Sequence, residues 1–253
     1  MNLNSVNAIS RRFGFRSTAR LVLLGLALGL GSGSAVAGDA TAAETEKQVT
    51  GLWLYTGLTT SGGNEMPLTG VFLFKDDTFI QHAVFNGEPL EAQGSMAHAG
   101  PYQAHAGYVH LVAEQTISTS GGENPSLSFQ ANTEHDVTVD RDGESLSLVF
   151  SMGTGTVQDF EWVGPGEGEL YQLEDGAFAL VDGHFVLVEG DADAIVSGYG
   201  TYDRDGENLS LNVILWTDAS SEGATNVADV TIEATFDGTT LTLADGRSFK
   251  VES

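Results

Sequence analysis

Asp140-Arg141-Asp142-Gly143-Glu144-Ser145-Leu146-Ser147-Leu148 recurs at Asp203-Arg204-Asp205-Gly206-Glu207-Asn208-Leu209-Ser210-Leu211, with Asn208 standing where the first copy has Ser145. An Asp-Gly pair accepts the positive φ values of a two-residue type I′ turn. Leucine at every second position then turns one face of the following strand toward a core. The same grammar appears at Asp175-Gly176, Asp182-Gly183, Asp237-Gly238 and Asp245-Gly246. The chain therefore reads as an antiparallel β meander.

Working outward from these turns, eight alternating segments fall between residues 50 and 163 and eight more between 168 and 252, with Gly164-Pro165-Gly166 interrupting the pattern. The halves echo each other. Phe74-Lys75-Asp76-Asp77-Thr78-Phe79 parallels Leu173-Glu174-Asp175-Gly176-Ala177-Phe178, Gly100 and Tyr102 parallel Gly200 and Tyr202, and Val137-Thr138-Val139 parallels Val230-Thr231-Ile232. The expectation is an all-β fold of two tandem small barrels related by an internal repeat, at 49–163 and 167–253, the second a barrel or a barrel-like half. A two-sheet sandwich uses the same alternation and is the alternative. No stretch of ten or more residues after Ala37 keeps a helical period, so helix is expected to be minor.

Residues 1–37 carry Arg11, Arg12, Arg16 and Arg20, no acid, an apolar run from Leu21 to Leu30 and the small residues Ala35-Val36-Ala37. That is the pattern of a secretory signal cleaved after Ala37, and the apolar run is too short to span a bilayer. Ser10-Arg11-Arg12 resembles a twin-arginine export signal in part. Residues 38–48, small and polar, are expected to be a disordered leader. A periplasmic or secreted protein is implied. With the four signal arginines gone, six basic residues face 35 acids, a formal charge of −29, a surface that repels nucleic acid and anionic lipid, so no nucleic-acid partner is expected. The chain has no cysteine, so there is no disulfide, thiolate or lipid-anchor chemistry.

Gly51-Leu52-Trp53 resembles the Gly-x-Trp opening of lipocalins. Gly100-Pro101-Tyr102, Val109-His110-Leu111 and Arg141-Asp142-Gly143-Glu144-Ser145-Leu146-Ser147-Leu148 are similar to the later strands of bacterial lipocalin-like domains. The resemblance covers residues 50–163. It implies a calycin barrel closed at its base by Trp53 and binding a small apolar molecule, some members of the family being isomerases or cyclases.

Five of the six histidines lie in the first half, which makes it the better functional candidate. Strand parity through Phe129, Ala131, His135, Val137 and Val139 points His135 inward. His82 lies between Ile80 and Val84 with its direction open. His110 shares a face with Tyr108, which favours a rim position. No metal site is expected, since His98, His105 and His110 lack the spacing of ligands on one strand face, and the Asp-x-Asp-Gly turns lack the rest of a calcium loop. No nucleophile elbow, phosphate loop or other cofactor signature is present. The leading expectation is a binding protein for a small apolar or amphipathic molecule, with Trp53, Phe79, Tyr102, Tyr108, His110 and Phe129 as ligand-facing residues, without cofactor or membrane insertion. The alternative is a barrel isomerase or cyclase with His135 and His82 as acid and base. A protein that binds another macromolecule is the third class, favoured if both barrel interiors are filled.

Overall fold

The computed structural model describes residues 40–252. The export signal expected at residues 1–37 lies outside the described residues. The described residues cluster as one compact unit. Its first element is a helix, α1 (Ala42–Val49), where a disordered leader was expected. The Thr41 side chain accepts the Glu44 N–H at 3.2 Å, and the Glu44 carboxylate accepts the Thr41 N–H at 2.7 Å, a reciprocal capping box. Tertiary contact supplies what eight residues lack: Thr45 and Val49 are buried, and Thr45 Oγ1 accepts the Gly107 N–H at 2.9 Å.

The first sheet comprises β1 (Gly51–Thr59), β2 (Leu68–Lys75), β3 (Thr78–Phe85), β4 (Ser95–His105), β5 (Tyr108–Ala113), β6 (Gln115–Thr119), β7 (Leu127–Gln130), β8 (Thr133–Asp142), β9 (Ser145–Val149) and β10 (Val157–Gly164). Every pairing is antiparallel. β1 pairs with both β2 and β10, and β3 with both β2 and β4, so the meander closes on itself. β5 and β6 are one strand interrupted at Glu114, and β7 and β8 one strand interrupted at Ala131-Asn132, which leaves the eight-stranded ring expected from the alternation. Its interior holds Trp53, Tyr55, Phe72, Phe74, Phe79, Tyr102 and Phe160 among aliphatic residues.

The second sheet comprises β11 (Gly168–Leu173), β12 (Gly176–Val181), β13 (His184–Gly190), β14 (Ala194–Asp205), β15 (Asn208–Ser220), β16 (Gly223–Val227), β17 (Val230–Phe236), β18 (Thr240–Leu243) and β19 (Ser248–Lys250). β15 pairs with β17 along one half and with β16 along the other. An antiparallel bridge between Leu173 and Val251, flanked by Glu174 N–H to Lys250 O at 3.0 Å and Glu252 N–H to Gln172 O at 2.9 Å, brings the last strand back to the first. Phe178, Phe185, Trp216 and Phe236 fill this interior with Leu180, Leu187, Leu209 and Leu211.

A third core joins the two barrels. Leu52, Val71, Leu73, Ile80, Val84, Ala97 and Ala99, on the outer face of the first barrel, pack with Ala177, Ala179, Val181, Val186, Val188, Ile195 and Tyr199 of the second. The strands on either side of this seam are buried on both faces, and β12 has no exposed position at all. Asn226 adds a polar latch across it. Its Nδ2 donates to Leu90 O at 3.1 Å and Gln93 O at 2.8 Å, and its Oδ1 accepts the Thr217 hydroxyl at 2.8 Å.

Two local readings change. In the repeated phrase the paired residues are Asp142 with Ser145 and Asp205 with Asn208, so the turns are Gly143-Glu144 and Gly206-Glu207, with positive φ only at the glycines (61° and 63°). A type I′ turn needs two positive values. Asp182-Gly183 (49° and 75°) and Asp76-Asp77 (49° and 60°) have them. The repeat also shifts by one hairpin. Ring order matches the inward Phe72, Phe74 and Phe79 with Phe178, Leu180 and Phe185, each 106 residues apart, whereas the parallel drawn from Phe74 to Leu173 pairs a β2–β3 hairpin with β11–β12. His135 sits opposite Leu111, and Ile232 opposite Leu211, so Ile232 is its counterpart; Val230, paralleled in the sequence with the buried Val137, is exposed.

Candidate functional site

The two ends of the first barrel differ. At the base, Trp53 donates Nε1–H to Val49 O at 2.7 Å and meets Trp162 edge-on at 4.7 Å between ring centroids. The Arg141 guanidinium lies 4.7 Å from the Trp53 ring and 4.5 Å from that of Trp162, and donates to Gln48 O at 3.0 Å, at the carbonyl end of α1. Trp53 thus closes the base, together with Arg141 and the helix.

The other end opens. β7 pairs only with β6, and β8 meets β9 only from Thr138 onward, so the β6–β7 hairpin splays away from β9. The ladder there places Gln81 opposite His98, His98 opposite Thr116 and Thr116 opposite Gln130, one polar row running across four strands on the barrel's inner side. The next row toward the rim is Ala83, Met96, Ser118 and Ser128. Along the row Gln81 is buried, His98 and Thr116 are half-buried and Gln130 is exposed, so the row meets solvent at its β7 end.

Beneath the row runs a hydrogen-bonded chain. His98 Nδ1 lies 2.9 Å from Gln81 Oε1, Gln81 Nε2 donates to the Tyr55 hydroxyl, and that hydroxyl donates to Gln158 Oε1 at 2.8 Å. With the Gln81 oxygen facing it, the His98 ring carries its proton on Nδ1 and keeps Nε2 as an acceptor. Burial, and then the neighbouring His135, push the His98 pKa down to about 4. Burial also lowers that of His135. Both rings are half-buried, and His135 meets Phe150 edge-on at 5.4 Å. Phe150 opens a short turn, Phe150–Gly153, in which Ser151 and Met152 are left-handed (φ 52° and 53°) and Met152 is exposed. Thr116 Oγ1 is buried without a partner. The arrangement can offer two neutral imidazoles and an unused hydroxyl to a polar head, beside the apolar Met96, Phe150 and Met152.

The other sequence candidates divide by location. Phe79 and Tyr102 are interior. The Tyr102 hydroxyl donates to Glu46 Oε1 at 2.5 Å, and burial followed by this bond raises its pKa. His82, whose direction was open, faces the seam: it is fully buried 6.2 Å from Tyr199, with both ring nitrogens unpartnered. Phe129 also faces the seam, opposite Ile117. It does not share a face with His135, because the strands kink together where Asn132, left-handed at φ 54°, donates to Glu114 O at 3.4 Å. Tyr108 stacks on His105 and lies, like His110, on the outer face, where His110 Nδ1 and Asp136 Oδ1 are 2.8 Å apart. Neither reaches the interior. Among the described residues no group of three or more His, Asp or Glu side chains is arranged to hold a metal ion.

Gln81, His98, Thr116 and Gln130 form the row that sequence reading missed. Each is an unremarkable residue on its own strand, and only the register unites them. No family model, curated protein or solved structure matches this chain.

Proposed function

We propose that the chain is an exported, lipocalin-like paired-barrel protein that takes a small amphipathic molecule at the splayed end of its first barrel. The observation that carries this reading is the polar row, with a buried unpaired Thr116 hydroxyl and two half-exposed neutral imidazoles at the one open end. A hydroxyl without a partner costs about 1–3 kcal/mol, which a ligand's polar head would recover. The aromatic packing below places the ligand at the mouth and not deep inside. The same packing supports a second reading, a scaffold that binds another macromolecule by its outer surface. The arginine-bearing leader supports export to the periplasm or beyond, with Gly38 as the first mature residue.

The test is native mass spectrometry of protein purified from its own host, followed by a thermal-shift panel of lipids, pigments and other hydrophobes. The expected result is a retained small molecule, released intact, with His135→Phe abolishing the shift while unfolding near the wild-type temperature. A chain that never carries a molecule and responds to none of the panel is a scaffold. A molecule released in altered form makes it an isomerase or cyclase with His98 and His135 as acid and base.

A further inference from the structure

At the mouth of the second barrel, Glu189 stands on the inner side of β13, directly opposite Val196 of β14. Its side chain is only 7% exposed, and Oε2 is buried with no hydrogen-bond partner. It lines a cleft of about 200 Å³ whose other walls are Asp175, Asp191, Ile195, Val196, Arg247 and Phe249. A carboxylate oxygen out of water with no donor is a costly group, and folding does not satisfy it.

The charges facing Glu189 determine what would. The side-chain charges of Asp175, Glu174 and Asp191 all disfavour its ionised form, against which the Asp175 backbone N–H is a weaker, favourable influence. Arg247 is the cation at the cleft, and it is already held: it donates to Asp218 Oδ2 at 2.6 Å and to Asp245 Oδ2 at 2.8 Å. It is therefore neither a counter-ion for Glu189 nor a free anchor for an anion. The field at the cleft is negative, the walls include Ile195, Val196 and Phe249, and the carboxylates are not arranged for a metal. A compact cation with N–H donors and a short apolar portion meets every one of these conditions.

We infer that the second barrel has a binding site for a small organic ammonium ion, its N–H donated to Glu189 Oε2, with Asp175 and Asp191 supplying the attracting field and Ile195, Val196 and Phe249 holding the hydrocarbon. The site is independent of the first barrel's mouth.

The experiment is a titration of the chain from Gly38 to Ser253 with butylammonium chloride, followed by calorimetry and by NMR of the probe. Burial and then the charges of Asp175 and Glu174 raise the Glu189 pKa to about 8. The probe stays cationic to about pH 10, like a lysine side chain. Binding should strengthen at least about tenfold between pH 6 and pH 9, the scale of a hydrogen bond to a charged group. Glu189→Gln, which keeps the shape and folds without the carboxylate, should weaken binding at pH 9 by a similar factor, and Asp175→Asn by less. Butanol, of the same shape without the charge, should not compete. No saturable binding at pH 9, equal binding by Glu189→Gln, or equal binding of butanol would each overturn the site.

Discussion

The two barrels follow one strand plan but place their irregularities at opposite kinds of position. The first has a sealed base, where Trp53, Trp162 and Arg141 interlock beneath α1, and a splayed far end lined by Gln81, His98, Thr116 and Gln130. The second is drawn shut by the Leu173–Val251 bridge, and its buried unpartnered polar groups are the Glu189 carboxyl and the Ser197 hydroxyl. The same Asp-Arg-Asp-Gly-Glu phrase serves both, but not at equivalent hairpins: it joins β8 to β9 in the first barrel and β14 to β15 in the second. A turn phrase is thus portable. What it does depends on the wall its arginine meets.

The largest difference should appear at the base. Trp53→Ala removes the indole that Arg141 and Trp162 pack against and leaves Val49 O without its donor, so a loss of about 3–5 kcal/mol is expected in urea unfolding. Because the seam couples the barrels, the variant should still unfold in a single transition. Two separated transitions would show that the third core does not bind them into one cooperative unit.

A smaller contrast compares the two arginines directly. Arg141 touches two indoles and a helix carbonyl, whereas Arg204 lies 5.7 Å from the ring of Phe236 alone and 3.7 Å from the exposed Glu169. Arg141→Ala should cost about 2 kcal/mol and Arg204→Ala under about 1 kcal/mol in the same assay. Equal losses would mean that the repeated phrase, and not its surroundings, sets the contribution.

Most of the strand plan was legible in the sequence, because alternation and turn residues act locally. Helix α1 carried a readable signal, Thr41-Ala42-Ala43-Glu44, hidden by its shortness and by a composition that also suits a disordered leader. The seam also had a signature. Val71-Phe72-Leu73-Phe74 and Ala177-Phe178-Ala179-Leu180-Val181 are continuous apolar runs, which in a strand mean burial on both faces and not on one. The direction of Phe129 was not legible, because the kink at Glu114 and Asn132 reverses the parity on which the reading depended. The polar row was not legible either. Cross-strand neighbours are fixed by register, and register is set by bulges and closure that no single strand encodes.

A last contrast, about 1 kcal/mol at pH 7 and growing away from neutrality, concerns the seam and separates the barrels by pH. His82 has two unpartnered nitrogens in an apolar setting, and burial lowers its pKa from 6.5 to about 3. A histidine depressed in the folded state binds protons more readily when unfolded, so its contribution falls as pH drops below 6.5 and continues falling to about 3, at no more than about 1.4 kcal/mol per pH unit. Glu189 works the other way. Its pKa is raised from 4.5 to about 8, so its contribution is complete below 4.5 and is lost as pH rises through 8. His82→Leu removes a buried N–H that has no acceptor, and it should stabilise the protein by about 1 kcal/mol at pH 7. It should also flatten the acid limb of a stability–pH curve and leave the alkaline limb alone, while Glu189→Gln should do the reverse. If His82→Leu destabilises at pH 7, or leaves the acid limb as steep as before, then the imidazole has a partner in solution and the seam is not the dry apolar contact described above.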